Sequence, residues 1–253
     1  MKIAALYDIH GNLPALEAAL ADVEQAGVDC LVIGGDVVAG PLPNETIDRL
    51  QALDLPIHYI HGNAESELLR CLAGLEPGGL SPYADDEARW VAQTLTTEHR
   101  AFIATWADTV TLTVDGIGDV LFCHATPQDD ITVFTKETPE EHLIAIFGSL
   151  AVAMVICGHT HMQFNRTAAG VRVVNAGSVG MPFGHTGADW LLLDGGVALR
   201  HTDYDLAAAA ERIRRSAYLH AEEFTAGNVL QAPTVAQAMA MLTRLESTQR
   251  QIA

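Results

Sequence analysis

Lys2-Ile3-Ala4-Ala5-Leu6-Tyr7-Asp8-Ile9-His10-Gly11-Asn12 is an apolar run that ends in an acid and a histidine. The pattern recurs downstream. Leu13 to Ala26 carries apolar residues at helical spacing, and Gly27 stops it. Cys30 to Asp36 is a second apolar run ending in an acid. Asn44 to Leu53 reads as a helix capped by Asn44, Pro56 to His61 as a third strand, and Glu65 to Leu72 as a third helix. Strands alternating with helices predict parallel βαβ units. Ligands of such sheets bind beyond the carboxyl ends of the strands, where Asp8, Asp36 and Asn63 stand.

Further along, Gly74 to Gly79 reads as a loop, and Asp85 to Leu95 and Thr97 to Trp106 as helices. Thr111 to Val114 and Val120 to Cys123 flank Asp115-Gly116-Ile117-Gly118-Asp119, a hairpin signal. Pro139 to Phe147 reads as a helix. Ala151 to Cys157, Val171 to Asn175, Trp190 to Asp194 and Ala198 to Thr202 read as strands, the last two joined by a turn at Gly195-Gly196. Both halves contribute strands, so residues 1–205 read as one domain with two sheets. Residues 206–253 form a helical extension, Leu206 to Phe224 and Thr234 to Gln251. It can pack on the domain, cover a substrate or reach a partner subunit. Met239, Met241, Leu242 and Leu245 give it an apolar face suited to the core or to a homo-oligomer.

The net charge of −18 opposes non-specific nucleic-acid binding and favours cations. There is no apolar stretch of membrane-spanning length. The N-terminus runs straight into a functional motif without the features of a signal peptide, which predicts a cytoplasmic protein. Cys30, Cys71, Cys123 and Cys157 have no CxxC spacing and read as reduced core cysteines rather than a zinc knot.

Five short motifs stand at strand ends: Asp8-Ile9-His10-Gly11-Asn12, Gly34-Gly35-Asp36, His61-Gly62-Asn63-Ala64-Glu65, Cys123-His124 and Gly158-His159-Thr160-His161. In extended backbone, residues two apart share a face, so Asp8 with His10, and His159 with His161, can each grip one ion. Each fragment alone is weak; five in order are a strong signal. Carboxylates, imidazoles and an amide suit Mn, Fe, Zn, Ni or Co, and not Ca.

These motifs resemble the calcineurin-like metallophosphoesterase family, whose pattern runs D-x-H, G-D, G-N-H-[DE], H, G-H-x-H. The likeness covers Met1 to Asp203, and Asn175-Ala176-Gly177-Ser178-Val179-Gly180 is similar to the bacterial branch that includes small phosphodiesterases. The resemblance implies an α/β fold, a four-layer αββα sandwich of two mixed β-sheets flanked by helices. It also implies that Asp8, His10 and His161 hold one metal, that Asn63, His124 and His159 hold a second, and that Asp36 bridges them. The implied reaction is hydrolysis of a small phosphodiester or phosphomonoester by a hydroxide between two cations about 3.5–4 Å apart.

Ala64 departs from the pattern, because the family usually places a histidine there to protonate or orient the leaving oxygen. General-acid help is worth about 10²–10⁴ in rate. His61 and His185 are candidate substitutes. His61, Asn63 and Asn12 are candidate contacts for the substrate, although Asn12 also suits fixing its loop. The alternative reading is a metal-binding module that has lost catalysis.

Overall fold

The structure is a computed structural model and describes residues 1–78 and 81–252, so Gly79, the end of one expected loop, lies outside the described residues. The chain order is β1 (Ile3–Leu6), α1 (Leu13–Ala26), β2 (Cys30–Ile33), α2 (Pro43–Gln51), β3 (Ile57–Tyr59) and α3 (Asn63–Leu72). Next come α4 (Pro82–Thr94), α5 (Thr97–Ile103), the hairpin β4 (Thr109–Val114) and β5 (Gly118–Cys123), α6 (Glu140–Phe147) and β6 (Met154–Cys157). The chain continues through β7 (Phe164–Ala168), β8 (Val171–Asn175), β9 (Ala188–Leu193) and β10 (Val197–Thr202), and ends in the tail helices α7 (Leu206–Arg214), α8 (Ala221–Phe224) and α9 (Val235–Ile252).

Two five-stranded mixed sheets result, ordered β10-β9-β1-β2-β3 and β4-β5-β6-β8-β7. In the first, β1, β2 and β3 are parallel, and β9 and β10 add antiparallel. In the second, β5, β6 and β8 are parallel between the antiparallel edges β4 and β7. Period-two alternation builds the layers. Ala4, Leu6, Leu31 and Ile33 face Leu16, Leu50 and the helices over the first sheet. Ile3, Ala5, Tyr7 and Val32 meet Val120, Phe122, Ile156 and Val174 between the sheets. Val155 and Val173 face Leu143 and Phe147 of α6. The molecule is therefore the expected αββα sandwich. Strands covered on both faces need continuous apolar sequence, as β1, β2 and β6 have. Truncating one of these buried aliphatics, such as Ile33, to alanine costs about 2–5 kcal/mol.

Two local expectations need correction, and one strand adds to them. Helix α2 starts at Pro43, a residue suited to the first turn because no amide hydrogen is needed there, and Leu42 rather than Asn44 holds the cap position. The Asn44 side chain instead ties together Thr94, Thr96 and His99. The continuous helix expected over Leu206 to Phe224 is split into α7 and α8, and a π turn over Thr225–Val229 comes after them. Strand β7, Phe-Asn-Arg-Thr-Ala, carries no strand signal in the sequence, because only Phe164 and Ala168 of it are buried on this sheet edge. The cysteines are free; Cys30, Cys123 and Cys157 are buried.

The tail packs on the rest of the chain. Ala210, Ile213, Phe224 and Val229 form a cluster with Trp90 of α4 and with Met181. Gln249 of α9 donates to Ile131 O and accepts from Val133 N.

Candidate metal centre

The loops after β1, β2 and β6 carry the candidate ligands in an unusual backbone. Of six non-glycine residues with positive φ among the described residues, five are Asp8, His10, Asp36, His159 and His161. Each such residue costs about 1–3 kcal/mol unless its surroundings fix it. Here they do. Asp8 N donates to Gly35 O, His10 N to Asp36 O and Gly11 N to Val37 O, at 2.8–3.1 Å. Ser178 Oγ and Gly180 N both donate to Asp8 O. The two-residue spacing does bring Asp8 and His10 into one ligand group, but His159 and His161 fall into different groups and do not share an ion site. The means is left-handed turns, not the extended backbone expected from spacing. Glycine is needed where loops touch: Gly35 has φ +91°, and a Cβ there would press on the backbone of Gly62 and on the His124 ring.

Backbone carbonyls fix the tautomers of three rings. His10 Nδ1 lies 3.0 Å from Ala39 O, His161 Nδ1 3.0 Å from Met181 O, and His124 Nδ1 2.8 Å from Gly34 O. A carbonyl only accepts, so each Nδ1 carries the hydrogen. His10 Nε2 and His161 Nε2 then face each other at 3.2 Å. Two lone pairs at that distance repel unless a proton or a metal cation lies between them. Asp8 Oδ1 completes this group, 3.3 Å from His161 Nε2. It is buried with no hydrogen-bond partner, while Asp8 Oδ2 accepts from His159 N at 2.9 Å.

A second group forms beside the first. His124 Nε2 lies 3.2 Å from Asn63 Oδ1 and 3.5 Å from Asp36 Oδ2, and His159 joins Asp36 and His124 within ligand-sharing distance. Asp36 Oδ1 accepts from Ala64 N at 2.8 Å. Its Oδ2 faces both groups, 3.8 Å from His10 Nε2 and 3.5 Å from His124 Nε2. The orphaned Asp8 oxygen, the opposed lone pairs and the mixed nitrogen and oxygen donors fit divalent transition cations. Burial pushes His159 down to about 4, helped by the neighbouring His124, and burial also lowers His10. Both rings are thus neutral and ready to ligate. Burial opposes charge on His124, but the Asp36 carboxylate outweighs it and holds that ring near about 10. Burial likewise opposes charge on Asp36, and His124 outweighs it, keeping Asp36 well below the carboxylate range. A cation must displace the His124 proton, so binding releases it.

Two acids that sequence reasoning left without a role stand close by. Glu65 is fully buried and accepts from Asp36 N, Val37 N and Gly62 N at 2.8–2.9 Å, clamping the loop after β2 to the start of α3. Burial pushes its carboxyl up to about 7, with Asp36 adding to that and the amide donors opposing it. Glu65 sits at the third position of α3, a spacing that signals a capping residue. Glu87 of α4 lines a cavity of about 140 Å³ with His10, Asp36, Asn63 and Ala64. Tyr218 from the tail donates its hydroxyl to Glu87 Oε1, and Tyr83 Oη lies 3.1 Å behind Tyr218 Oη. Burial pushes Glu87 up to about 7; the Tyr218 hydroxyl opposes this and the Asp36 charge adds to it.

The remaining candidates fall in different places. His61 lines a cavity of about 520 Å³ with His124, Asp129 and Asp130, and its Nε2 donates to Ile103 O at 2.8 Å. Asn12 is buried, its amide nitrogen donating to Gly180 O and to Tyr204 Oη and its oxygen accepting from Ala15 N, so it ties the first loop to the start of α1. His185 turns to Asp189 and His201, and not to the cluster around Asp36.

A two-sheet αββα sandwich with acids and imidazoles converging at strand ends defines a class of metal-dependent hydrolase folds. Residues 1–195 match the calcineurin-like phosphoesterase superfamily domain, and the chain belongs to that family. It is 26% identical over 234 residues to an uncharacterized protein of Methanocaldococcus jannaschii, covering 83% of this chain and 91% of that one. A stretch of 77 residues is 35% identical to the phosphodiesterase YfcE of Escherichia coli, 27% of this chain and 42% of YfcE. Two solved structures share the fold. One is a hypothetical protein from Pyrococcus horikoshii, with TM-score 0.76, 20% identity and coverage of 91% and 99% of the two chains. The other is a metallophosphoesterase from Sphaerobacter thermophilus, with TM-score 0.69, 23% identity and coverage of 94% and 99%. Among the described residues, no helix is long and apolar enough to cross a membrane.

Proposed function

We propose that this chain hydrolyses a small phosphate ester with two divalent transition cations, Asp8, His10 and His161 holding one, Asn63, His124 and His159 the other, and Asp36 shared. The observation that carries this is the 3.2 Å approach of His10 Nε2 and His161 Nε2 beside a buried Asp8 carboxylate oxygen that has no hydrogen-bond partner. When bound, the cations would supply charge to the phosphoryl oxygens and hydroxide at neutral pH. The chain's own residues do the rest. Glu65 holds the Asp36 loop in its left-handed turn. Ala64 N donates to Asp36 Oδ1, which leaves Oδ2 as the oxygen that faces both ligand groups and would be available to cations there. His61 faces the larger cavity, placed to contact the substrate from the His124 side.

Glu87 takes the part that Ala64 cannot. Alanine opens the small cavity, and Glu87 is a carboxyl at its wall. Tyr218 occupies Oε1, so Oε2 carries the proton, which passes to the leaving alkoxide. A carboxyl near about 7 suits a neutral-pH acid. Hydrolysis of bis-aryl, mono-aryl and alkyl phosphates with added Mn²⁺ tests this reading. Turnover abolished by EDTA supports it. Metals bound by elemental analysis with no turnover on any ester would leave the binding-module reading, which Ala64 favours.

A further inference from the structure

A second place in the molecule has ligand chemistry that the phosphoesterase reading does not use. Asp189 and His201 are direct cross-strand partners on β9 and β10. Asp189 shares its face with Leu191 and Leu193, which pack between the sheets, and it is 1% exposed. A buried carboxylate needs compensation by a cation or several donors. Among the described residues no lysine or arginine pairs with it; its ionic partners are two imidazoles. His201 Nδ1 lies 2.9 Å from Asp189 Oδ1, and His185 Nε2 lies 2.9 Å from Oδ1 and 3.1 Å from Oδ2.

The rings stand perpendicular with centroids 4.6 Å apart, so both nitrogens aim at one carboxylate. His201 Nε2 lies 3.5 Å from Asp203 Oδ1. A carboxylate behind a histidine is the usual outer support of a metal-ligating ring. The cradle is shaped by glycine: Gly187 has φ +120°, and a Cβ there would strike the His201 ring. The His185 and His201 side chains are 49% and 35% exposed, so an ion has access and a water can fill a fourth position.

We propose that His185, Asp189 and His201 form a third cation site, of the Zn²⁺ class, that braces the loop before β9. Tetrahedral donors at about 2.0–2.2 Å from Zn²⁺ match two imidazoles, one carboxylate and a water. The loop matters because it also supports the centre: Met181 O fixes the His161 tautomer, Phe183 N donates to His161 O, and Ser178 O accepts from Asp189 N. A cation there locks His185 to the β9–β10 hairpin and holds that loop at both ends. The site stands without the two-metal reading, since it shares no ligand with it.

The test is metal stoichiometry of the full chain after Zn²⁺ loading and dialysis, by elemental analysis, on wild type, His185→Gln, His201→Gln and His10→Gln. Circular dichroism melts in EDTA confirm folding, and the two partly exposed histidines are the safe positions to change. Wild type is expected to hold three ions, and His185→Gln and His201→Gln to hold two each. Co²⁺ loading is expected to give tetrahedral visible absorption that diminishes in His201→Gln. If both surface variants keep the wild-type count, the cluster is only a hydrogen-bonded triad and the proposal is overturned. Failure of the two-metal centre reads differently: wild type would then hold one ion, lost in His201→Gln and kept in His10→Gln.

Discussion

The floor of the candidate site and its wall are built by opposite means. The floor is five loop residues in left-handed backbone, pinned by a dense set of amide hydrogen bonds and by the buried Glu65. The wall is helix α4, where Glu87 lines the cavity through one hydroxyl contact from the tail. A strained and over-determined floor fixes donor positions before any ion arrives, as pre-organisation requires. The helix itself is well packed, with Val91 in the first core and Trp90 against the tail, so what depends on the tail contact is the Glu87 carboxyl. On the proposed reading, charge stabilisation and proton delivery are assigned to separate elements, the loops and α4.

The largest expected effect tests the floor. Asp36→Asn removes the donor shared by both ligand groups, and turnover of every ester should fall on the order of 10³-fold. A loss confined to one ester class would contradict a shared role. Next comes the wall. Glu87→Gln should lower alkyl phosphate turnover about 10²-fold and leave nitrophenyl esters nearly unchanged, because good leaving groups need no acid. The acid works protonated, so wild-type alkyl turnover should fall as pH rises through about 7. That limb should vanish in Glu87→Gln. Ala64→His, which restores an acid beside the floor, should raise alkyl turnover more than nitrophenyl turnover; equal gains would contradict the role given to this position.

Smaller effects sharpen the contrast. Glu65→Gln keeps the packing but weakens the acceptor of three amides, so metal affinity should drop about 10–100-fold by equilibrium dialysis. An unchanged affinity would make the clamp dispensable. Tyr218→Phe removes a donor that favours the charged form of Glu87. The alkaline limb should therefore move to higher pH with little change in maximal rate. A limb that stays put would detach the tail from the chemistry.

The floor was legible because its signals are local. Each motif lies within five residues at the end of an apolar run, and βαβ alternation places strand ends together. Two sheets were legible from both halves supplying strands, and their mixed character followed from the family resemblance. The left-handed turns were not, because Asp and His with positive φ carry no mark that glycine would give. Glu65 was readable in principle, as an acid at the third position of a helix after a tight strand end. Glu87 was not: 131 residues separate it from Tyr218, and no periodicity links them. Asp189 and His201 were within reach, since both stand six residues from Gly195 in the turn that the sequence marks.

Anomalous diffraction at the metal edge, from crystals of Mn²⁺- or Zn²⁺-loaded protein, puts the two-cation centre to its sharpest test. Two peaks are expected about 3.5–4 Å apart on either side of the Asp36 carboxylate, one of them between His10 and His161. Density showing those two rings with no peak between them would contradict the centre.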